Sequence, residues 1–157
     1  MSVVAFRKVK EPHGWLGNMA PYPITYMGDT WRTSEALFQA LRTDDHDARE
    51  QIRAAKSPMA AKMVAKRLAA CRTVAPMGPQ DLSNMLDVLR LKLEAHPCLK
   101  DALLATGDAT IVEDCTARPR GSGLFWGAQL LEDGSWHGSN TLGRMWMRIR
   151  EELKDAV

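Results

Sequence analysis

The amino-acid sequence predicts a single helix-rich α+β domain over residues 1–157, carrying a small antiparallel sheet. Three observations lead there. A chain of 157 residues, 45% hydrophobic and 25% charged, can bury its own core without crosslinks. Apolar residues recur at helical spacing through most of its length, whereas strand-like runs are few and short. No internal repeat, low-complexity tract or linker divides it.

Val3 to Phe6 is an apolar run that reads as a strand, followed by the basic Arg7-Lys8-Val9-Lys10. Glu11 to Pro23 is a loop rich in Pro and Gly, yet it carries Trp15, Leu16, Met19 and Tyr22, the cargo of a packed loop that lines a site. Ile24–Met27 and Thr30–Trp31 form a hairpin about Gly28-Asp29. Thr33 and Ser34 cap the next helix, which carries Glu35 in its first turn and places Ala36, Leu37, Ala40 and Leu41 toward the core. The polar DDHDARE segment opens another short helix ending near Lys56. Ser57-Pro58 starts a third that runs to about Cys71. Pro76, Gly78 and Pro79 break the pattern. Leu82, Met85, Leu86, Leu89 and Leu93 then mark a helix ending before Pro97, and Leu99–Leu104 a shorter one stopping at Thr106-Gly107. Ile111-Val112 is a brief strand, Thr116–Ser139 is irregular, and a last helix from near Asn140 buries Leu142, Met145, Trp146, Ile149 and Leu153.

Composition removes several classes of function. The formal net charge of +2 neither requires nor excludes nucleic acid. Cys71, Cys98 and Cys115 are odd in number and far apart, which argues for reduced thiols and against a disulfide framework or zinc site. The four histidines lack metal-ligand spacing, so neither a metal nor another cofactor is expected. No apolar run approaches a membrane span, and the expected location is the cytoplasm.

Chemistry concentrates in a few places. Glu35, Gln39 and Arg42 form a polar stripe along one helix face, a pattern that also fits an ordinary solvated face. Arg118, Arg120, Gly121 and Gly123 precede Phe125-Trp126-Gly127, and Gly138-Ser139-Asn140 leads into the last helix, with Arg144 one turn in. Arginines and a helix terminus suit phosphate, Trp126 suits ring stacking, and Glu35 suits the reaction. A conventional glycosidase needs two carboxylates. An N-glycoside of ribose can manage with one, because its C–N bond breaks with oxocarbenium character that a single carboxylate can stabilise while it activates water.

Several blocks together resemble the NADAR (YbiA-like) family of N-glycosidases. GWLGNMAPYP at 14–23 resembles the family loop with its L-S-N-F core, and WRTSEALFQ at 31–39 its W-P-T-S-E-x-x-x-Q helix start. KSPMAAK at 56–62 is similar to S-P-x-x-A-K, LLATGDATIVE at 103–113 to L-L-x-T-G…V-E, FWG at 125–127 to W-G, and GSNTLGRMWMRIR at 138–150 to G-x-N-x-L-G-x-x-L-M-x-x-R. The resemblance implies a YbiA-like fold and cleavage of an N-glycosidic bond to a phosphorylated ribose. The leaving base would be guanine bearing ADP-ribose, with DNA or a nucleotide as carrier, or the pyrimidine of a phosphoribosylamino intermediate of riboflavin synthesis. It assigns the catalytic carboxylate to Glu35 and pocket positions to Asn18, Gln39, Trp126, Gly127, Asn140 and Gly143. Arg7, after Phe6, is matched to phosphate, and Lys8 is the nearest lysine for a Schiff base with an opened sugar. Two departures stand out: Gly123 occupies the place of a frequent family aspartate, with Asp114 a substitute, and a tryptophan expected near Pro76 is missing. These leave room for a nucleotide-binding module that does not cleave, or for a partner-binding regulator.

Overall fold

Short polar side chains mark where three helices of this protein begin. The computed structural model describes residues 2–156. In chain order its elements are β1 (Val3–Phe6), β2 (Ile24–Tyr26), β3 (Asp29–Trp31), α1 (Ser34–Ala40), α2 (His46–Ala54), α3 (Pro58–Arg67), α4 (Pro79–Ala95), α5 (Pro97–Ala105), β4 (Thr110–Glu113), α6 (Gly123–Trp126), β5 (Gln129–Leu130), β6 (Trp136–His137) and α7 (Thr141–Asp155). The chain gathers into two units, one made of Asn18–His96 and the other of the residues up to Gly17 together with those from Pro97 onward.

In the Asn18–His96 unit, Thr33, Asp45 and Ser57 sit in extended backbone ahead of α1, α2 and α3. Each accepts through its side chain from the amide three residues on, at 3.2, 2.8 and 3.0 Å respectively, so one otherwise orphaned N–H is satisfied at each helix start. Pro79 follows Gly78 at the start of α4, where its missing N–H costs nothing. α1 packs against α2, α3 and α4, and Leu37, Ala40, Ile52, Ala61, Val88 and Leu89 on these four helices are all buried. The predicted hairpin forms, with β2 and β3 antiparallel and Ile24 opposite Trp31, but its turn is Met27-Gly28, one residue earlier than predicted, because Asp29 pairs with Tyr26 inside the ladder. The third helix is shorter than predicted. It stops at Arg67, and a 3-10 turn over Ala69–Cys71 swings the chain so that Thr43 and Arg72 bridge. That tertiary bridge overrides the local helical preference.

In the other unit, β1 and β4 pair in parallel, from Val3 opposite Thr110 to Phe6 opposite Glu113. This pairing is additional to the antiparallel sheet read from the sequence. All of Asn18–His96 lies between its partners, so no local turn chemistry could announce it. Phe6, Ile111, Val112, Leu142 and Trp146 are buried here, α7 packing on β4. Trp146 donates its indole N–H to the Leu16 carbonyl at 3.0 Å, and Trp15 meets its ring edge-on at 6.1 Å. Gly107 ends α5 at φ +63°, as a glycine C-cap should. The stretch read as irregular holds one helical turn, α6, and the antiparallel β5–β6 pair. Elements of four and two residues are too short to leave a periodic trace in sequence.

Candidate active site

The polar stripe on α1 is not a solvated face. Glu35, Gln39 and Arg42 are 8%, 6% and 9% exposed. Glu35 is placed from both sides. Its backbone N–H donates to the Asn18 carbonyl at 3.0 Å, and its Oε1 accepts from Gln39 Nε2 at 2.8 Å. The Ser34 hydroxyl, next to it, donates to Asn18 Oδ1 at 3.0 Å, while Asn18 Nδ2 points at Met85 Sδ of α4, 3.3 Å away. Asn18 is therefore buried and fastens the start of α1 to the loop before β2. Among the described residues no Lys, Arg or His forms an ion pair with Glu35.

The cation on that stripe is engaged elsewhere. Arg42 lies just past the end of α1 and reaches Asp81 in the first turn of α4, Nε to Oδ1 at 2.9 Å and Nη2 to Oδ2 at 2.8 Å. Asp81 is fully buried and also accepts from the Met77 N–H at 2.8 Å. Asp81 was not singled out from the sequence, where an acid in a helix's first turn reads simply as a favourable terminus. Two further charges whose burial carries no signal in the sequence are Arg150 on α7, whose Nη1 donates to the Ala109 carbonyl at 2.8 Å, and Lys92 on α4. Lys92 has the more unusual setting. It is completely enclosed, with Nζ 5.4 Å from the Tyr22 ring centre, and burial pushes its ammonium from an ordinary 10.5 down to about 7.

A second group of predicted residues lies in the other unit, around the start of α7, and is built mainly from backbone. Asn140 has φ 49° and ψ 42°, left-handed, and its side chain does not cap its own helix. It donates instead to the Ile111 carbonyl at 2.8 Å and accepts from the Glu113 N–H at 3.0 Å, stapling α7 to β4. Its own N–H donates to the Gly127 carbonyl at 2.9 Å. Gly143 and Gly127 are packing glycines: a Cβ would stand 2.2 Å from the Ile111 carbonyl oxygen at the first and 2.4 Å from the Glu113 carbonyl oxygen at the second. Trp126 ends α6, half-buried, with Phe125 edge-on at 5.0 Å.

Other predicted residues have local partners. Arg7 is exposed and forks onto Glu11, its Nε 3.1 Å from Oε1, and that carboxylate raises the guanidinium further while it is itself lowered. Lys8 is exposed in the turn that follows β1. Arg144, read as support for an anion, donates to the Ser139 carbonyl at 2.8 Å. Asp114 closes a tight turn by accepting from the Thr116 N–H at 2.9 Å. The departure at Gly123 has a steric basis, since a Cβ there would lie 2.8 Å from the Arg118 carbonyl oxygen. Pro76 is exposed in the loop before α4. Among the described residues no three His, Cys, Asp or Glu gather as a metal site, the three cysteines are free, and no helix is long and apolar enough to cross a membrane.

A capped helix presenting a buried carboxylate, within the seven helices and three two-stranded sheets of the described residues, defines an α+β protein of the YbiA fold. The solution NMR structure of the E. coli protein YbiA matches with a TM-score of 0.75 at 34% identity, covering 99% of this chain and 86% of that one. The profile of the NADAR domain matches residues 5–154, and the chain belongs to the NADAR family. N-glycosidase YbiA of Escherichia coli (strain K12) is 35% identical over 153 residues, 97% of this chain and 89% of that protein. A riboflavin biosynthesis protein of Vibrio vulnificus (strain YJ016) is 31% identical over 157 residues, 97% of this chain but 39% of that longer protein.

Proposed function

We propose that this protein hydrolyses the N-glycosidic bond between a phosphorylated ribose and a base, with Glu35 as the catalytic carboxylate. One observation carries the reading: Glu35 is nearly enclosed yet bonded through one oxygen to a neutral amide, while the adjacent cation is neutralised by Asp81. A carboxylate locked in an ion pair cannot accept a proton readily. One held by a single amide keeps an oxygen for chemistry.

In the proposed step, water attacks the anomeric carbon as the C–N bond breaks with its electron pair leaving on the base. Glu35 accepts the water's proton, and its charge stabilises the oxocarbenium character that develops. The proton taken by Glu35 passes to the departing base nitrogen, which regenerates the carboxylate, so that one water is consumed and a sugar hydroxyl and an N–H on the base result. Gln39 fixes the carboxylate, and Asn18 fixes the helix that carries it. Trp126 is assigned to stacking, while Gly127, Asn140 and Gly143 shape the backbone around the start of α7. Arg7 can meet a phosphate only by exchanging Glu11 for it, which makes it the weakest member of the set. The chemistry asks for no cofactor.

The family resemblance suggests two substrate classes, ADP-ribose on guanine, carried by DNA or a nucleotide, and a phosphoribosylamino-pyrimidine intermediate of riboflavin synthesis; the relative named a riboflavin biosynthesis protein supports the riboflavin connection of the second. Incubating the pure protein with one of each and separating the products tests both. Free base appearing in proportion to enzyme supports hydrolysis. The glycine at 123, in place of a family aspartate, favours a second reading in which the nucleotide is held without cleavage; retained, intact ligand after prolonged incubation would replace the first reading with that one.

A further inference from the structure

The amide of Gln39 can lie in either of two orientations, and its neighbours allow only one. Its Nε2 donates to Glu35 Oε1 at 2.8 Å, and its Oε1 faces Arg42 Nη1 at 3.5 Å. Turned over, the carbonyl would confront a carboxylate and the NH2 a guanidinium, so both contacts would become repulsive. Arg42 can impose this choice because it is itself immobilised. Two of its nitrogens are used by the two oxygens of Asp81, its guanidinium lies 4.6 Å from the Phe38 ring centre, and its carbonyl accepts from the Thr73 and Val74 N–H groups. Asp81 is fixed in turn by the α4 start and by Met77, whose φ of 64° turns its N–H onto the carboxylate.

We infer that Asp81 and Arg42 are positioning residues for the reaction: Asp81 withholds the guanidinium from Glu35, and Arg42, so held, orients the Gln39 amide that presents the carboxylate. The inference rests on Glu35 being the catalytic group. Stability alone is a poor reason for the pair, since a buried ion pair gains little over apolar residues of similar volume. What the pair does here is specific to its place. Glu35, Gln39 and Arg42 follow one another along a single face, so a guanidinium released from Asp81 still has Gln39 Oε1, 3.5 Å away, as an acceptor, with the Glu35 carboxylate next along that face. Freed, it would turn an amide-held carboxylate into half of a salt bridge.

The test uses two variants of the full chain, Asp81→Asn and the double variant Arg42→Met/Asp81→Leu. The double variant removes both charges together and keeps the protein folded where the single one fails to. The first readout needs no substrate: the side-chain 15N–1H2 signals of Gln39, assigned by comparison with Gln39→Leu. In the wild type the proton directed at Glu35 exchanges slowly. In both variants its protection falls by at least about tenfold, and turnover of whichever N-glycoside the wild type cleaves falls by a similar factor in kcat, with KM little changed. A purely structural pair would lower the melting temperature and leave the Gln39 signals and kcat of the folded molecules alone. A cooperatively folded double variant with wild-type Gln39 protection overturns the inference. A wild type that cleaves no N-glycoside overturns the function instead, and the Gln39 signals still decide whether the pair orients the amide.

Discussion

The α1 stripe and the start of α7 both carry residues matched to the family's site, yet they hold their polar groups by opposite means. At α1 side chains contact side chains: Glu35 to Gln39, Gln39 to Arg42, Arg42 to Asp81. At α7 the backbone does most of the work, through Gly127 and Gly143 approaching main chain and Asn140 tied to Ile111 and Glu113. The difference teaches where function and stability can be separated. An end group in the first region can change while its neighbours keep their places. In the second, an added atom displaces a helix.

The largest expected effect is therefore at Gly143. Gly143→Ala puts a methyl carbon 2.2 Å from a backbone oxygen and beside the pinned Asn140 amide. It should cost about 3 kcal/mol or more, read as a lower urea midpoint. A loss under about 1 kcal/mol would show that α7 can slide and would erase the contrast.

Lys92 probes burial in the Asn18–His96 unit, on the same helix α4 that carries Asp81. Its folded value near 7 lies below the ordinary 10.5, so between those two the unfolded chain holds a proton that the folded chain does not. Stability should therefore rise with pH from about 7 toward 10, by up to about 1.4 kcal/mol per unit. Below about 7 both states carry the proton and this contribution stops changing with pH. Urea melts at pH 7 and 9 check it, and Lys92→Met should remove the slope. Asn140→Ala comes next, at about 2 kcal/mol, because it strips partners from the Ile111 carbonyl and the Glu113 N–H and leaves an alanine in left-handed backbone. The smallest effect is at Thr33, where Thr33→Ala removes only the α1 cap and should cost about 1 kcal/mol by thermal melt.

The same contrast explains what the sequence disclosed. Caps at Thr33 and Ser57, the Gly28 hairpin, the glycine stop at Gly107 and the core faces of the longer helices were all readable, because each depends on residues close together in the chain. The polar character of Glu35, Gln39 and Arg42 was readable too, but their burial was not, since a solvated stripe has the same period. Asp81 escaped notice because its partner is 39 residues away. The parallel β1–β4 pair was hidden for that reason as well. Arg7 looked free for phosphate because Glu11, one helical turn further on, was read as the start of a loop and not as its counter-ion.

The central claim is that Glu35 performs the proton transfer and is not needed for folding. Turnover by Glu35→Gln, measured alongside its thermal melt on the N-glycoside the wild type cleaves, tests it most directly. The account predicts a melt close to wild type and a kcat lower by at least about a hundredfold. A folded Glu35→Gln protein that releases base at nearly the wild-type rate would contradict it.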